Sequence, residues 1–193
     1  DIRNLPHKGS KHEDKEVFSM DLLEVMQKRR SVRAYTDQSI PMDTLEKVIQ
    51  AGLLSASSRS IRPWELLVVR EKKTLDAMSQ CRIGSAKMLK QASCAIVVLA
   101  DEKKSDVWVE DCSIVMANMH LMANSLGIGS CWIQGRLREA LDGRSTEDYL
   151  RSLLHFPSHM RLEAVLSMGM PAEYPEPYTI ESLPNEKVHW DIF

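Results

Sequence analysis

Apolar positions along the chain fall into helical rows separated by short strand-like runs. Helical patterning starts near Met20, with Leu22, Leu23 and Met26 on one face, and runs into a cluster of cations. A second row, Leu45, Val48, Ile49 and Leu53, steps by three and four after Pro41. There Asp43 and Glu46 stand close to a capping box. Strands are predicted over 65–69, 95–99, 130–133 and 163–168. Shorter helices are predicted near 75–80 and 86–91, with a helical and loop segment over 137–160.

The longest predicted helix covers 105–126 and is stopped by Gly127-Ile-Gly129. Trp108, Cys112, Val115, Met119, Met122 and Leu126 form one stripe, and Ile114, Met116, Leu121 and Ala123 make most other faces apolar. A helix that is apolar nearly all round must be buried nearly all round. Small domains seldom bury a whole helix, so one side is expected to meet another subunit; a central core helix of a monomer is the alternative. The tail has no helical period. It carries three prolines after Pro171 and ends in Val188, Trp190, Ile192 and Phe193. Such an arm has no core of its own and must lie on a folded surface; we expect a partner's. The chain therefore divides into a polar N-terminal arm (1–19), one domain (20–170) and an extended C-terminal arm (171–193).

Composition narrows the picture. The chain has 193 residues, 44% hydrophobic and 27% charged, enough for one core without covalent staples. A formal net charge of -2 gives no electrostatic footprint for nucleic acid, and no run is long enough to span a membrane. Cys81, Cys94, Cys112 and Cys131 form no C-x-x-C and have no closely spaced histidine, so they read as reduced thiols of a cytoplasmic protein, without a metal site.

Three segments carry candidate chemistry. Lys28-Arg-Arg-Ser-Val-Arg33 concentrates four cations and a hydroxyl. Guanidinium forks match phosphate oxygens, so Arg29, Arg30, Ser31 and Arg33 suit a small phosphorylated ligand; equally, cations at a helix end meet the macrodipole. Ser57-Ser-Arg-Ser-Ile-Arg-Pro-Trp64 offers hydroxyl and backbone donors, or simply makes a turn, and Pro63 is expected to hold Arg62 extended. Gly127-Ile-Gly-Ser-Cys-Trp-Ile-Gln-Gly135 lacks the third glycine and the strand-to-helix context of a dinucleotide fingerprint. No nucleophile elbow is present. His120 reads as a satisfied core or interface residue, and Glu110 and Asp111 as capping or solvated acids. A phosphate site without acid–base machinery suits a cofactor that carries the chemistry itself.

In this order the three motifs resemble the FMN-dependent nitroreductase family. They stand here as Arg29-Arg-Ser-Val-Arg33, Ala56-Ser-Ser-Arg-Ser-Ile-Arg-Pro-Trp64 and Gly127-Ile-Gly-Ser-Cys-Trp-Ile-Gln-Gly135. The resemblance implies an α+β fold with a mixed, mostly antiparallel central sheet flanked by helices, in an intertwined homodimer with FMN at the interface. It implies that Arg29, Arg30, Ser31 and Arg33 hold the phosphate and ribityl chain, Arg33 also standing as the candidate cation near N1–C2. Ser57 and Ser58 would reach the flavin of the other subunit, with Arg62 at a position where ring-edge contacts differ. Trp132, Ile133, Gln134 and Gly135 would border the ring through backbone N–H groups. The implied activity is NAD(P)H-dependent, ping-pong reduction of nitroaromatic, quinone or related small acceptors, with 137–160 (Tyr149, His155, Phe156) as an acceptor-selecting lid. The alternatives are a reductive dehalogenase or flavin-fragmenting relative, and a flavin-binding or redox-sensing module without turnover. Three departures stand out: Ala56 replaces the usual Pro, Ser60 and Arg62 replace Asn and Gln, and the tail lacks a basic pair, Lys187 being its nearest cation.

Overall fold

The computed structural model describes residues 21–193; the expected N-terminal arm lies outside them. The order is α1 (Leu22–Lys28), α2 (Met42–Leu53), β1 (Trp64–Val69), α3 (Lys72–Met78), β2 (Cys94–Asp101), α4 (Trp108–Ser125), β3 (Gly129–Gln134), α5 (Thr146–Leu154) and β4 (Met160–Gly169). The strands form one sheet in the order β1-β2-β4-β3, and every pair is antiparallel. The parallel element is a single bridge from Ser31 to Ser130, which lays the basic segment along the outer side of β3. The fold is α+β, as the resemblance to the family implies.

β2 is buried along almost its whole length because helices cover both faces of the sheet. Val97, Leu99, Cys131, Ile133, Leu162 and Val165 point to one face. They meet Leu75 and Met78 of α3, Leu89, and Leu150 of α5. Ile96, Val98, Ala164, Leu166 and Met168 point to the other and meet Val115, Met116 and Met119 of α4, with Leu45 and Val48 of α2 outside.

Several local expectations are corrected. The first helix buries Val25, while Leu22, Leu23 and Met26 are exposed, because α1 touches the domain along one narrow row. α2 has Pro41 at its N-cap and no side-chain cap; Asp43 instead accepts from the Thr44 N–H at 2.8 Å. The helix near 86–91 is a 3₁₀ turn, Lys87–Lys90. The segment 137–160 is held to the domain at several points. Phe156 is buried in the core, Tyr149 donates to the Ala77 carbonyl at 2.8 Å, and His155 ends α5 in the left-handed region at φ 59°.

α4 buries its own Cys112, Val115, Met116, Met119 and Ala123, while Ile114 on another face is exposed. A groove of 720 Å³ runs there between α1, α2 and α4, lined by Leu22, Val25, Leu54, Leu121 and Met122 among others. The first part of the tail lies on its own chain: the Tyr178 N–H donates to the Gln27 carbonyl at 3.1 Å. The Tyr174 hydroxyl donates to the Gly127 carbonyl at 2.9 Å, while Trp190, Ile192 and Phe193 are exposed.

Candidate functional site

The basic segment begins where α1 ends. Arg29 follows the last helical residue and turns extended at ψ 106°, so Arg29 to Arg33 leave the helix instead of continuing it. Lys28 remains on α1 and pairs with Glu24 at 2.5 Å. The Val32 N–H donates to the Ser130 carbonyl at 2.9 Å. That approach needs Gly129, where an added Cβ would stand 2.7 Å from Val32 Cγ1. Tyr35 is buried and pins the far end, its hydroxyl 2.8 Å from Ser167 Oγ. Among the described residues, Arg29 and Arg33 make no ion pair. The Arg33 guanidinium is exposed and donates weakly to the Ser31 carbonyl at 3.4 Å. Arg30 is placed differently from its neighbours: it donates to the Glu176 carbonyl and lies 4.2 Å from the centre of the Tyr178 ring, clasping the tail.

β3 is the outermost strand, and among the described residues no strand beyond the Ser31 bridge pairs its free side. Backbone groups alternate sides along a strand, so the N–H groups of Trp132 and Gln134 face the same side as those of Ser130. Side chains alternate between the faces. Ser130, Trp132 and Gln134 share the α4 side, whereas the Ile133 side chain is buried in the opposite core and its backbone faces Val165 of β4, so Ile133 does not border the free edge as expected. Trp132 Nε1 donates to Gln134 Oε1 at 2.8 Å, and Gln134 Nε2 donates to Glu163 Oε1 at 3.2 Å. Glu163 sits where the register slips: Val98 opposes Ala164 and Leu99 opposes Leu162, leaving it unopposed in a β-bulge. Its carbonyl accepts the N–H groups of Gly135 at 3.1 Å and Arg136 at 2.9 Å, ending β3 at the expected glycine. Glu163 is 3% exposed, and its second carboxyl oxygen has no partner. Burial pushes this carboxyl above the usual glutamate range; the Gln134 bond and the Arg136 charge oppose the shift.

The serine-rich loop is held elsewhere. The Ser58 N–H donates to Asp111 Oδ1 at 2.8 Å, and Ser105 Oγ donates to Oδ2 at 3.0 Å. Ser57 Oγ accepts the Arg62 N–H at 2.9 Å. Arg62 is not extended as Pro63 suggests. It lies at φ 50°, and Arg59 and Ser60 share the left-handed region at 50° and 55°. Each such residue costs roughly 1–3 kcal/mol, so the hydrogen bonds to Ser57 and Asp111 hold a strained turn. Asp111 is buried, not solvated. It stands nine positions before His120 on α4, about 13.5 Å along the axis. Within one chain, Ser57, Ser58 and Arg62 therefore do not join the basic segment.

His120 and Ser130 belong to the site although neither stood out as a ligand-binding residue. His120 Nε2 lies 3.0 Å from Arg29 Nη1, and Nδ1 lies 2.5 Å from Ser130 Oγ. Burial, reinforced by the Arg29 charge, pushes the imidazole down to about 4. Period-two alternation places Ser130 on one face with Trp132 and Gln134. His120 lies beside Met116 and Met119 on the buried side of α4. The structure thus unites Arg29, Ser31, Arg33, Trp132 and Gln134 along β3, while Gly135 follows the strand and gives its N–H to the Glu163 carbonyl. It sends Arg30 to the tail and Ile133 to the core.

The sequence and the fold have known relatives. The model of the nitroreductase family matches residues 26–86 and 80–170, and the chain belongs to that family. It is 36% identical over 168 residues to a Methanothermobacter thermautotrophicus protein provisionally named as an NADH dehydrogenase/NAD(P)H nitroreductase. That alignment covers 85% of this chain and 84% of the relative. An Archaeoglobus fulgidus protein with the same provisional name is 36% identical over 174 residues, covering 88% and 97%. Among solved structures, an FMN-dependent nitroreductase from Clostridium difficile R20291 superposes with a TM-score of 0.86 at 41% identity, covering 89% of this chain and 99% of that one.

Proposed function

We propose that this chain is an FMN-dependent oxidoreductase that takes electrons from NAD(P)H and reduces small acceptors such as quinones and nitroaromatics. The observation that carries the reading is the placement of Arg29, Ser31 and Arg33 beside the unpaired side of β3. One end of that strip offers two guanidinium groups free of carboxylates, and a hydroxyl, which suits a phosphate dianion. The other offers strand N–H groups, which suit the polar edge of a flat heteroaromatic ring. The names of the 36% and 41% identical relatives support the same cofactor and electron donor.

FMN, when bound, supplies the hydride chemistry between nicotinamide and acceptor. The chain's own residues hold and orient it. Arg29 and Arg33 would neutralise the phosphate, Ser31 would donate its hydroxyl, and the unpaired N–H groups of Trp132 and Gln134 would be available to the ring. Arg33 would also be the candidate cation toward N1–C2. The Trp132–Gln134–Glu163 chain keeps the Gln134 carboxamide turned toward β4 and leaves the strand edge clear.

The same reading includes a homodimer. The open apolar side of α4 and the 720 Å³ groove beside α1 and α2 match a second subunit. A partner would also bring its Ser57–Arg62 loop toward the β3 strip, which this chain's own loop does not reach. Purified protein is expected to be yellow and to release FMN on denaturation. Anaerobic NADH or NADPH bleaches it, and a quinone restores the colour. Bound flavin that neither nucleotide reduces would leave only a flavin-binding module.

A further inference from the structure

We propose that His120 is the positioning residue for Arg29: its neutral imidazole holds the guanidinium ready for the phosphate of the bound flavin. The inference rests on the proposed function and concerns one side chain of that site.

The hydrogen-bond chemistry fixes the tautomer. A guanidinium only donates, so the Nε2 that faces Arg29 at 3.0 Å must carry a lone pair. The proton is then on Nδ1, which donates to Ser130 Oγ at 2.5 Å. Ser130 is buried, and its carbonyl accepts the Val32 N–H, so one residue anchors both the imidazole and the strand-like run carrying Ser31 and Arg33. His120 is buried too, with Arg29 the charged group facing it. Among the described residues, the Arg29 guanidinium makes no other hydrogen bond, so its remaining donors are available to a ligand.

The choice of imidazole has a physical consequence. A carboxylate in this place would also order Arg29, but it would cancel the charge that attracts a phosphate. A neutral acceptor orders the side chain and leaves the cation intact. A free arginine loses rotamer freedom when it is fixed on a ligand, and restricting it before the ligand arrives lowers the cost of binding.

The test compares FMN with riboflavin, which lacks the phosphate, in titrations of flavin-free protein. The wild type is expected to bind FMN more tightly than riboflavin. His120→Leu is expected to weaken FMN about tenfold, the scale of a hydrogen bond to a charged group. It should leave riboflavin within about twofold. His120→Gln, which keeps an acceptor toward Arg29, restores most of the FMN affinity. His120→Asn reaches Ser130 but not Arg29, behaves like His120→Leu, and serves in its place if the leucine variant does not fold. Equal weakening of both flavins, or unchanged FMN affinity, would assign His120 to packing and overturn the inference. A wild type that binds neither flavin would overturn the functional reading as well.

Discussion

Two buried ionisable side chains, His120 and Glu163, give the site opposite responses to pH. His120 is neutral in the folded chain because burial and Arg29 lower its pKa to about 4, against about 6.5 when unfolded. Its contribution to stability is present above about pH 6.5 and is lost as pH falls through about 4. The loss is on the order of 3 kcal/mol. Thermal melts from pH 7 to pH 4 should therefore show a steeper decline for the wild type than for His120→Asn. Glu163 works the other way. Its folded pKa is raised, so stability is present at low pH and is lost as pH rises through the folded value. Glu163→Gln, which keeps the bond to Gln134 without a charge, should melt higher than the wild type at pH 8, with the gap closing toward pH 4. A constant gap would mean that Glu163 does not titrate between the two. Cys81, Cys94 and Cys112 stand apart from this behaviour: burial pushes each thiol up to about 12, so they behave as small apolar side chains.

The α2 and α4 rows were legible because each buries one face, and β2 was legible as an apolar run because both its faces are covered. Val48 of α2 and Met119 of α4 lie where their periodicity puts them, and Val97 lies inside the predicted strand. What escaped the pattern is local geometry. The Ser57–Arg62 loop adopts three left-handed residues without a glycine, which no propensity favours, and the reason is tertiary: Asp111 of α4 holds the Ser58 N–H. Asp111→Asn should destabilise the protein by about 1–3 kcal/mol, because a charge-assisted acceptor for the half-buried Ser58 N–H and the buried Ser105 hydroxyl is weakened. Hydrogen exchange at Ser58 and Arg62 should accelerate ahead of exchange in β2; unchanged protection would show that the strain is held elsewhere. The basic segment was legible as a phosphate-sized cluster, but its partners were not. The Arg29–His120 contact joins positions far apart in sequence, and the bulge that aims Glu163 leaves no trace in alternation.

For the whole molecule, the central question is how the open side of α4 is covered. A helix this apolar was expected to meet a second subunit. In a single chain, Ile114 stays exposed and Leu54 and Leu121 face a groove. We expect sedimentation to give a dimer near twice the 22.0 kDa chain mass. Leu121→Arg should yield a folded monomer with little flavin, because the site would lose the partner's loop. The tail is legible only in part. Its aromatic end was expected on a partner, and within the chain Arg30 and Gln27 fix just the stretch through Tyr178. That clasp explains why one of the three expected phosphate arginines points away from β3.

The most direct measurement is an FMN titration of flavin-free protein alongside Arg29→Ala and Arg33→Ala, with secondary structure checked in each variant. If the strip between Arg29 and Gln134 is the cofactor site, the wild type binds one FMN per chain, and each folded variant binds at least about tenfold more weakly. Equal affinity in all three, or no binding by the wild type, would contradict that placement.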